Sequence, residues 1–366
     1  MKISIRSILI SFLVSCLIFV FVGEITARLF LTWKRKSWNG VLYGITQEKK
    51  RLVGVKGNNG GTDYYKSTPS QEARNPVNRH GFRGTEIKPK RKGTLRVICL
   101  GGSTTYGDGL DYLDTFPAIL QRKLNEKLGG HYIEIINAGQ PGLDLSQIVS
   151  FTKREICGLD PDVVVLMSIE NNFVAPGFWF TGIKGGKQEQ KTIFTVKLFI
   201  IQRFALGFVI NDVIENYRMT GFGNYIKKFD WKVFSAALAA PHNIWATDYE
   251  KNLKTFCETL YMNNQKIKIL FLEEAFNFID HPEMTLPFEK ATAIFRKISE
   301  SNTNCQTLDV CKALLNAAQR GEPVWQSPAY DPTHLSPRGN EIIADLLAVH
   351  LSSMFLQSDK NNHFLQ

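Results

Sequence analysis

Four short stretches, far apart in the chain, hold side chains suited to nucleophilic chemistry. The first is Gly101-Gly102-Ser103-Thr104-Thr105-Tyr106-Gly107, where glycines let the backbone turn sharply and leave Ser103 exposed. The second is Asn137-Ala138-Gly139-Gln140-Pro141-Gly142, in which Gly139 offers an unhindered backbone N–H. The third, Glu170-Asn171-Asn172, offers side-chain amide donors, and the fourth is Asp331-Pro332-Thr333-His334. A serine hydroxyl is a poor nucleophile near neutral pH and needs a base within hydrogen-bond reach, itself held by an orienting group. His334 can be that base, and Asp331 in the same turn can hold its other ring nitrogen. A tetrahedral oxyanion needs donors, and the N–H groups of Ser103 and Gly139 with the Asn171 amide would supply three. Each stretch alone is a weak signal. A Gly-Gly-Ser is usually a turn, and a lone Asp-x-x-His near a C-terminus is more often a helix cap. Their joint order carries the expectation.

That order has meaning only if the fold brings the four together. Leu95–Leu100 is a short, mainly apolar run closed by Gly101-Gly102, which reads as a buried strand opening into a tight loop. Tyr132–Ile136, the wholly apolar Val163–Ser168, Ile267–Leu272 and Thr307–Val310 read as four more strands. Helices are expected over Phe116–Leu128, with Pro117 in its first turn, over Ser146–Cys157, and over Pro337–Met354 at the end. Strands alternating with helices imply a parallel sheet covered on both faces, so the fold class is α/β. In such sheets ligands bind at the carboxyl ends of the strands. Each of the first three chemical stretches follows an expected strand, and the fourth precedes the closing helix.

Taken together, these motifs resemble the SGNH (GDSL-type) hydrolase superfamily, whose named residues fall here on Ser103, Gly139, Asn171 and His334, with Asp331 completing a triad. The Gly-Gly-Ser-Thr-Thr-Tyr-Gly form, with Asn78…Gly81-Phe82-Arg83-Gly84 upstream, looks like a bacterial, membrane-anchored branch. The resemblance covers roughly residues 75–356 without the insertion described below. It implies a flavodoxin-like three-layer α/β/α sandwich with a five-stranded parallel sheet, and acyl-ester hydrolysis with no metal or other cofactor. It also implies export of the domain. One departure stands out. Where the third block normally reads Gly-x-Asn-Asp, this chain has Ile169-Glu170-Asn171-Asn172. Ile169 forbids an easy positive φ, and Asn172 calls for a different local hydrogen bond.

Composition sets the outer limits. The chain has 366 residues, 44 % hydrophobic and 21 % charged, near the averages of folded proteins, which excludes low-complexity and collagen-like classes. Six cysteines are too few for a disulfide scaffold. Cys99 reads as core, and a Cys305–Cys311 bridge would need roughly 20 Å of extended chain to fold back. A Cys157–Cys257 bridge has no support in the sequence. His80, His131, His242, His281, His350 and His363 lack metal-ligand spacing.

The net charge of +10 is unevenly spread: residues 34–92 hold 15 Lys/Arg against 4 Asp/Glu, whereas residues 93–366 hold 26 against 29. A nucleic-acid partner is therefore not expected, because the folded part is not basic. A basic stretch after an apolar one fits the membrane surface, with a solvated linker as the bland account. The apolar run Ile8–Gly23 has sixteen residues, slightly short for a span; apolar character resumes through Trp33, and Lys34-Arg35-Lys36 follows. It reads as an uncleaved signal anchor, with a lipoprotein signal at Leu13-Val14-Ser15-Cys16 or a buried helix as alternatives. The flanking charges do not fix orientation; the resemblance places the domain outside the cytoplasm.

The expected organisation is thus an anchor at 1–33, a basic linker and docking segment at 34–93, a hydrolase domain at 94–356, and a tail at 357–366. An insertion at 173–247 is expected to be a lid, an ordinary core helix or a membrane-touching surface. Its apolar stretch Phe194–Ile214 is broken by Lys197 and Arg203 and is too polar to span. The leading expectation is a serine esterase acting on an extracytoplasmic acyl ester, an O-acetylated glycan or lipid. An O-acyltransferase with the same triad and a non-catalytic glycan- or lipid-binding module are the alternatives, the last favoured by Ile169.

Overall fold

The computed structural model describes residues 52–57, 62–72, 74–128, 132–173, 245–274, 276–327 and 331–360, with single helical positions at 15, 21–23, 25–26, 235 and 238. The chain divides into two compact units, one of residues 1–50 and 183–229, the other of residues 51–182 and 230–366. The first unit lies almost wholly outside the described residues, as do the expected anchor and most of the 173–247 insertion. Among the described residues no helix is long and apolar enough to cross a membrane.

The second unit is an α/β sandwich. Its elements are β1 (Leu52–Lys56), β2 (Thr62–Ser67), β3 (Thr94–Gly101), α1 (Ser103–Tyr106), α2 (Phe116–Lys127), β4 (Tyr132–Asn137), α3 (Leu145–Phe151) and β5 (Val163–Met167), then α4 (Trp245–Asn263), β6 (Lys268–Leu272), α5 (Thr285–Ser301), β7 (Cys305–Leu308), α6 (Cys311–Gln319), β8 (Trp325–Ser327), β9 (Asp331–Leu335) and α7 (Pro337–Lys360). Five strands pair in parallel in the order β4-β3-β5-β6-β7, the doubly wound order of a flavodoxin-like sheet. Side chains alternate across it. Val97, Cys99, Ile135, Val163, Val165 and Leu272 pack with Phe116, Leu120, Leu314 and Leu347 from α2, α6 and α7. Ile98, Leu100, Val164, Leu166 and Phe271 pack with Ile148, Phe151, Leu253, Phe256 and Phe295 from α3, α4 and α5. Strands buried on both faces explain why β5 is apolar at all five positions.

The five expected strands are present, with shifts at their ends. β7 begins at Cys305 rather than Thr307, and Cys311 opens α6. Cys157, Cys257, Cys305 and Cys311 are all free thiols. The helix expected over Ser146–Cys157 is α-helical only to Phe151, then continues as a π turn to Ile156 and a 3-10 turn to Leu159.

The segment read as a linker is more ordered than expected. Within it β1 pairs antiparallel with β2. Tyr64 is fully buried, and its ring meets Phe151 of α3 at 5.4 Å between centroids; Phe82 meets the same ring at 5.6 Å. Some of its cations pair within the unit: Lys66 with Glu155 at 2.7 Å, Arg74 with Asp111 at 2.7 Å and Lys90 with Asp162 at 2.8 Å. Arg83 is buried, its backbone N–H donates to Asn137 O at 3.1 Å, and its guanidinium donates to the carbonyls of Tyr106 (2.8 Å), Gly107 and Leu110.

If this segment is part of the folded unit, Phe82→Ala should cost about 3–5 kcal/mol, the usual loss for a buried phenylalanine. Urea unfolding measures it, and a midpoint equal to that of the parent protein would return the segment to linker status.

Candidate active site

The site lies where the sheet changes direction. β3 is paired with β4 on one side and β5 on the other, with Cys99 opposite Asn137 and Gly101 opposite Met167. The residues leaving these three strands therefore emerge side by side. Such a switch point is the natural crevice of an open parallel sheet.

Ser103 opens α1, directly after β3, and is half-buried. As the first residue of a helix it has no intrahelical acceptor for its N–H. Gly102 leaves room for a neighbouring amide: a Cβ there would lie 2.4 Å from the Asn171 side-chain nitrogen, which would have to move. That closeness also locates Asn171 beside the serine. Its Nδ2 donates to Leu143 O at 3.0 Å, which occupies one of its two hydrogens. Gly139 approaches still more closely, since a Cβ would meet the Tyr106 nitrogen and come within 2.8 Å of the Thr105 carbonyl carbon. Its N–H donates to Asn137 Oδ1 at 3.1 Å, so an oxyanion would have to share that donor.

His334 lies on β9, just ahead of α7. Its Nε2 is 2.8 Å from Ser103 Oγ, across 231 residues of sequence. The Thr333 hydroxyl is 3.5 Å from its Nδ1. Asp331 opens the same strand; its backbone is described, and its side chain lies outside the described residues. The structure thus brings Ser103, Gly139, Asn171 and His334 to one rim of the sheet.

The unusual third block is accommodated without strain. Ile169 has φ −115°, which any residue adopts, and its side chain is fully buried in the core. No glycine is needed there. Asn172 takes the position of the usual acid with different bonds: its Oδ1 accepts from the N–H of Leu145 at 2.7 Å, and its Nδ2 donates to the carbonyls of Ser168 and Ile169, each at 3.2 Å.

Two residues matter here that the sequence reading did not single out. Arg83 grips the carbonyls of the nucleophile turn; its segment was noticed, but not the arginine's burial. Glu274, two residues beyond β6, is buried and accepts from the N–H groups of Ile169 at 2.6 Å and Glu170 at 2.8 Å. Burial pushes its carboxyl up, while those N–H groups and the nearby His334 pull it down. Its only trace in the sequence is an acidic pair at the carboxyl end of an apolar strand.

No protein-family model matches the chain, and no curated protein matches it. Solved structures do. The lipase/acylhydrolase from Enterococcus faecalis aligns at 13 % identity and TM-score 0.45, covering 71 % of this chain and 96 % of its own. The acetyl xylan esterase AlAXEase aligns at 18 % and 0.44, covering 70 % and 99 %. A member of the lipolytic G-D-S-L family from Veillonella parvula aligns at 13 % and 0.41, covering 69 % and 96 %. The overlaps are loose in sequence and in shape alike. These three are described as a lipase/acylhydrolase, an acetyl xylan esterase and a lipolytic protein of the G-D-S-L family.

Proposed function

We propose that this protein is a serine esterase that cleaves an acyl ester by a Ser103–His334–Asp331 triad. The observation that carries the reading is the 2.8 Å hydrogen bond between His334 Nε2 and Ser103 Oγ. In the first half-reaction Ser103 Oγ attacks the ester carbonyl carbon as His334 takes its proton. The carbon becomes tetrahedral, and the oxyanion is met by the Ser103 and Gly139 N–H groups and the second hydrogen of the Asn171 amide. The intermediate collapses, the alcohol leaves with the proton from His334, and Ser103 is left acylated. A water, deprotonated by His334, then attacks the acyl carbon and releases the carboxylic acid. Asp331 orients the imidazole and stabilises its charged form. The substrate is an acyl ester outside the cytoplasm, an O-acetylated glycan or lipid. The apolar run Ile8–Gly23 followed by Trp33 and Lys34-Arg35-Lys36 supports a single-pass anchor that holds the enzyme at the membrane.

A fluorophosphonate probe should label the protein, and Ser103→Ala should abolish the labelling; labelling that survives would reject Ser103 as nucleophile. On a short-chain aryl ester, His334→Ala should lower turnover about 10²–10⁴-fold, and an unchanged rate would remove it from the mechanism.

Asn171→Ala should lower kcat about 10²–10³-fold with little change in KM, as expected for a donor used mainly in the transition state. A rise in KM alone would make Asn171 a substrate-binding group instead.

A reporter enzyme active only outside the cytoplasm, fused after Gln366, should be active. An inactive but expressed fusion would reverse the proposed topology.

A further inference from the structure

Two glutamates follow β6 in succession and turn to different tasks. Glu273 pairs with Arg296 of α5 at 2.7 Å. Glu274, only 8 % exposed, turns inward and accepts from two successive backbone N–H groups, those of Ile169 and Glu170. These are the residues immediately before Asn171. The loop that carries Glu274 is also tied to the loop that carries the base: Asn277 N–H donates to Pro332 O at 2.8 Å. The titratable groups around the carboxylate come from each neighbouring element. From β9 comes His334, whose charge opposes the effect of burial on Glu274. From α4 comes Tyr249, whose hydroxyl donates to Ser168 O at 2.7 Å and is pushed up by burial and then by the charge of Glu274. Glu170 lies on the clamped turn, and Asp331 on the strand of His334.

We propose that Glu274 is a positioning residue: its carboxylate clamps the Ile169–Glu170 turn that presents Asn171, and it sets a negative charge near the imidazolium of His334. This rests on the esterase reading for its purpose but not for its geometry. It gives the unusual third block a physical reason. A turn whose N–H groups are held from outside by a buried carboxylate keeps its shape with an ordinary φ, so the isoleucine fits.

Two substitutions separate the two roles. Glu274→Gln keeps an oxygen that accepts from both N–H groups and removes the charge; Glu274→Ala removes both. The imidazole pKa of His334, followed by NMR and assigned with His334→Gln, should fall by about one unit in Glu274→Gln. An unchanged titration overturns the electrostatic role. That readout needs no turnover, so it decides the point even if the fluorophosphonate probe fails to label the parent protein and the esterase reading falls. For the clamp, Asn171→Ala should cost a much smaller factor in kcat in the Glu274→Ala background than in the parent, because the amide would already be misplaced. The full factor in both backgrounds overturns the clamp. Should Glu274→Ala fail to fold, Glu274→Asp, which shortens the reach while keeping the charge, replaces it with the same expectation.

Discussion

A single hydrogen bond, between the Ser103 hydroxyl and the His334 ring, closes a loop of 231 residues, and the architecture can be understood as what makes that closure sustainable. Bringing distant groups together costs chain entropy, and holding two side chains at one angle costs more. Here neither group is asked to find the other alone. Ser103 is fixed by the end of β3, and His334 by a short β8–β9 hairpin leading into α7. Asn340 of α7 in turn accepts from the Phe116 N–H at 2.9 Å, tying the helix that follows the histidine to the helix that follows the serine. The hydrogen bond is the last link of a frame that apolar burial on both sheet faces has already built.

Around that link the backbone polar groups are satisfied by buried charged side chains. Arg83 answers three carbonyls of the nucleophile turn, and Glu274 answers two N–H groups of the amide turn. Loops that carry chemistry cannot rely on a ladder of regular hydrogen bonds, and a buried group left unpaired costs about 1–3 kcal/mol. One cation on one side and one anion on the other give both turns a fixed shape without extending a strand into the crevice. The hydrogen bonds of Asn172 to the start of α3 and to its own turn complete the same arrangement.

Much of this was visible in the residues themselves. The five sheet strands announce themselves because a strand buried on both faces must be almost wholly apolar, as Val163–Met167 is. The first three chemical stretches are visible because each follows such a run, and the fourth because it precedes the closing helix. The paired strands β1 and β2 were hidden for the opposite reason: they are short and carry Lys56, Asp63 and Lys66, and the sequence between them is rich in glycine and asparagine, so the composition reads as linker. Glu274 could not be seen at all, because nothing in Glu273-Glu274 says which of the pair faces Arg296 and which turns inward. Ile169 looked like a defect only because its backbone N–H partner comes from 105 residues away.

The packing of β2 against α3 has a consequence for how the molecule can be damaged. Ser103, Gly139, Asn171 and His334 all lie on the C-terminal side of Thr94, on one continuous polypeptide. A protease cut between Ser67 and Asn78 would spare every one of them. Arg83 would stay joined to them as well, whereas the β1–β2 pair would be held to the rest by noncovalent contacts alone. The hold of those two strands would then rest on the Tyr64 ring against Phe151 and on the Lys66–Glu155 pair.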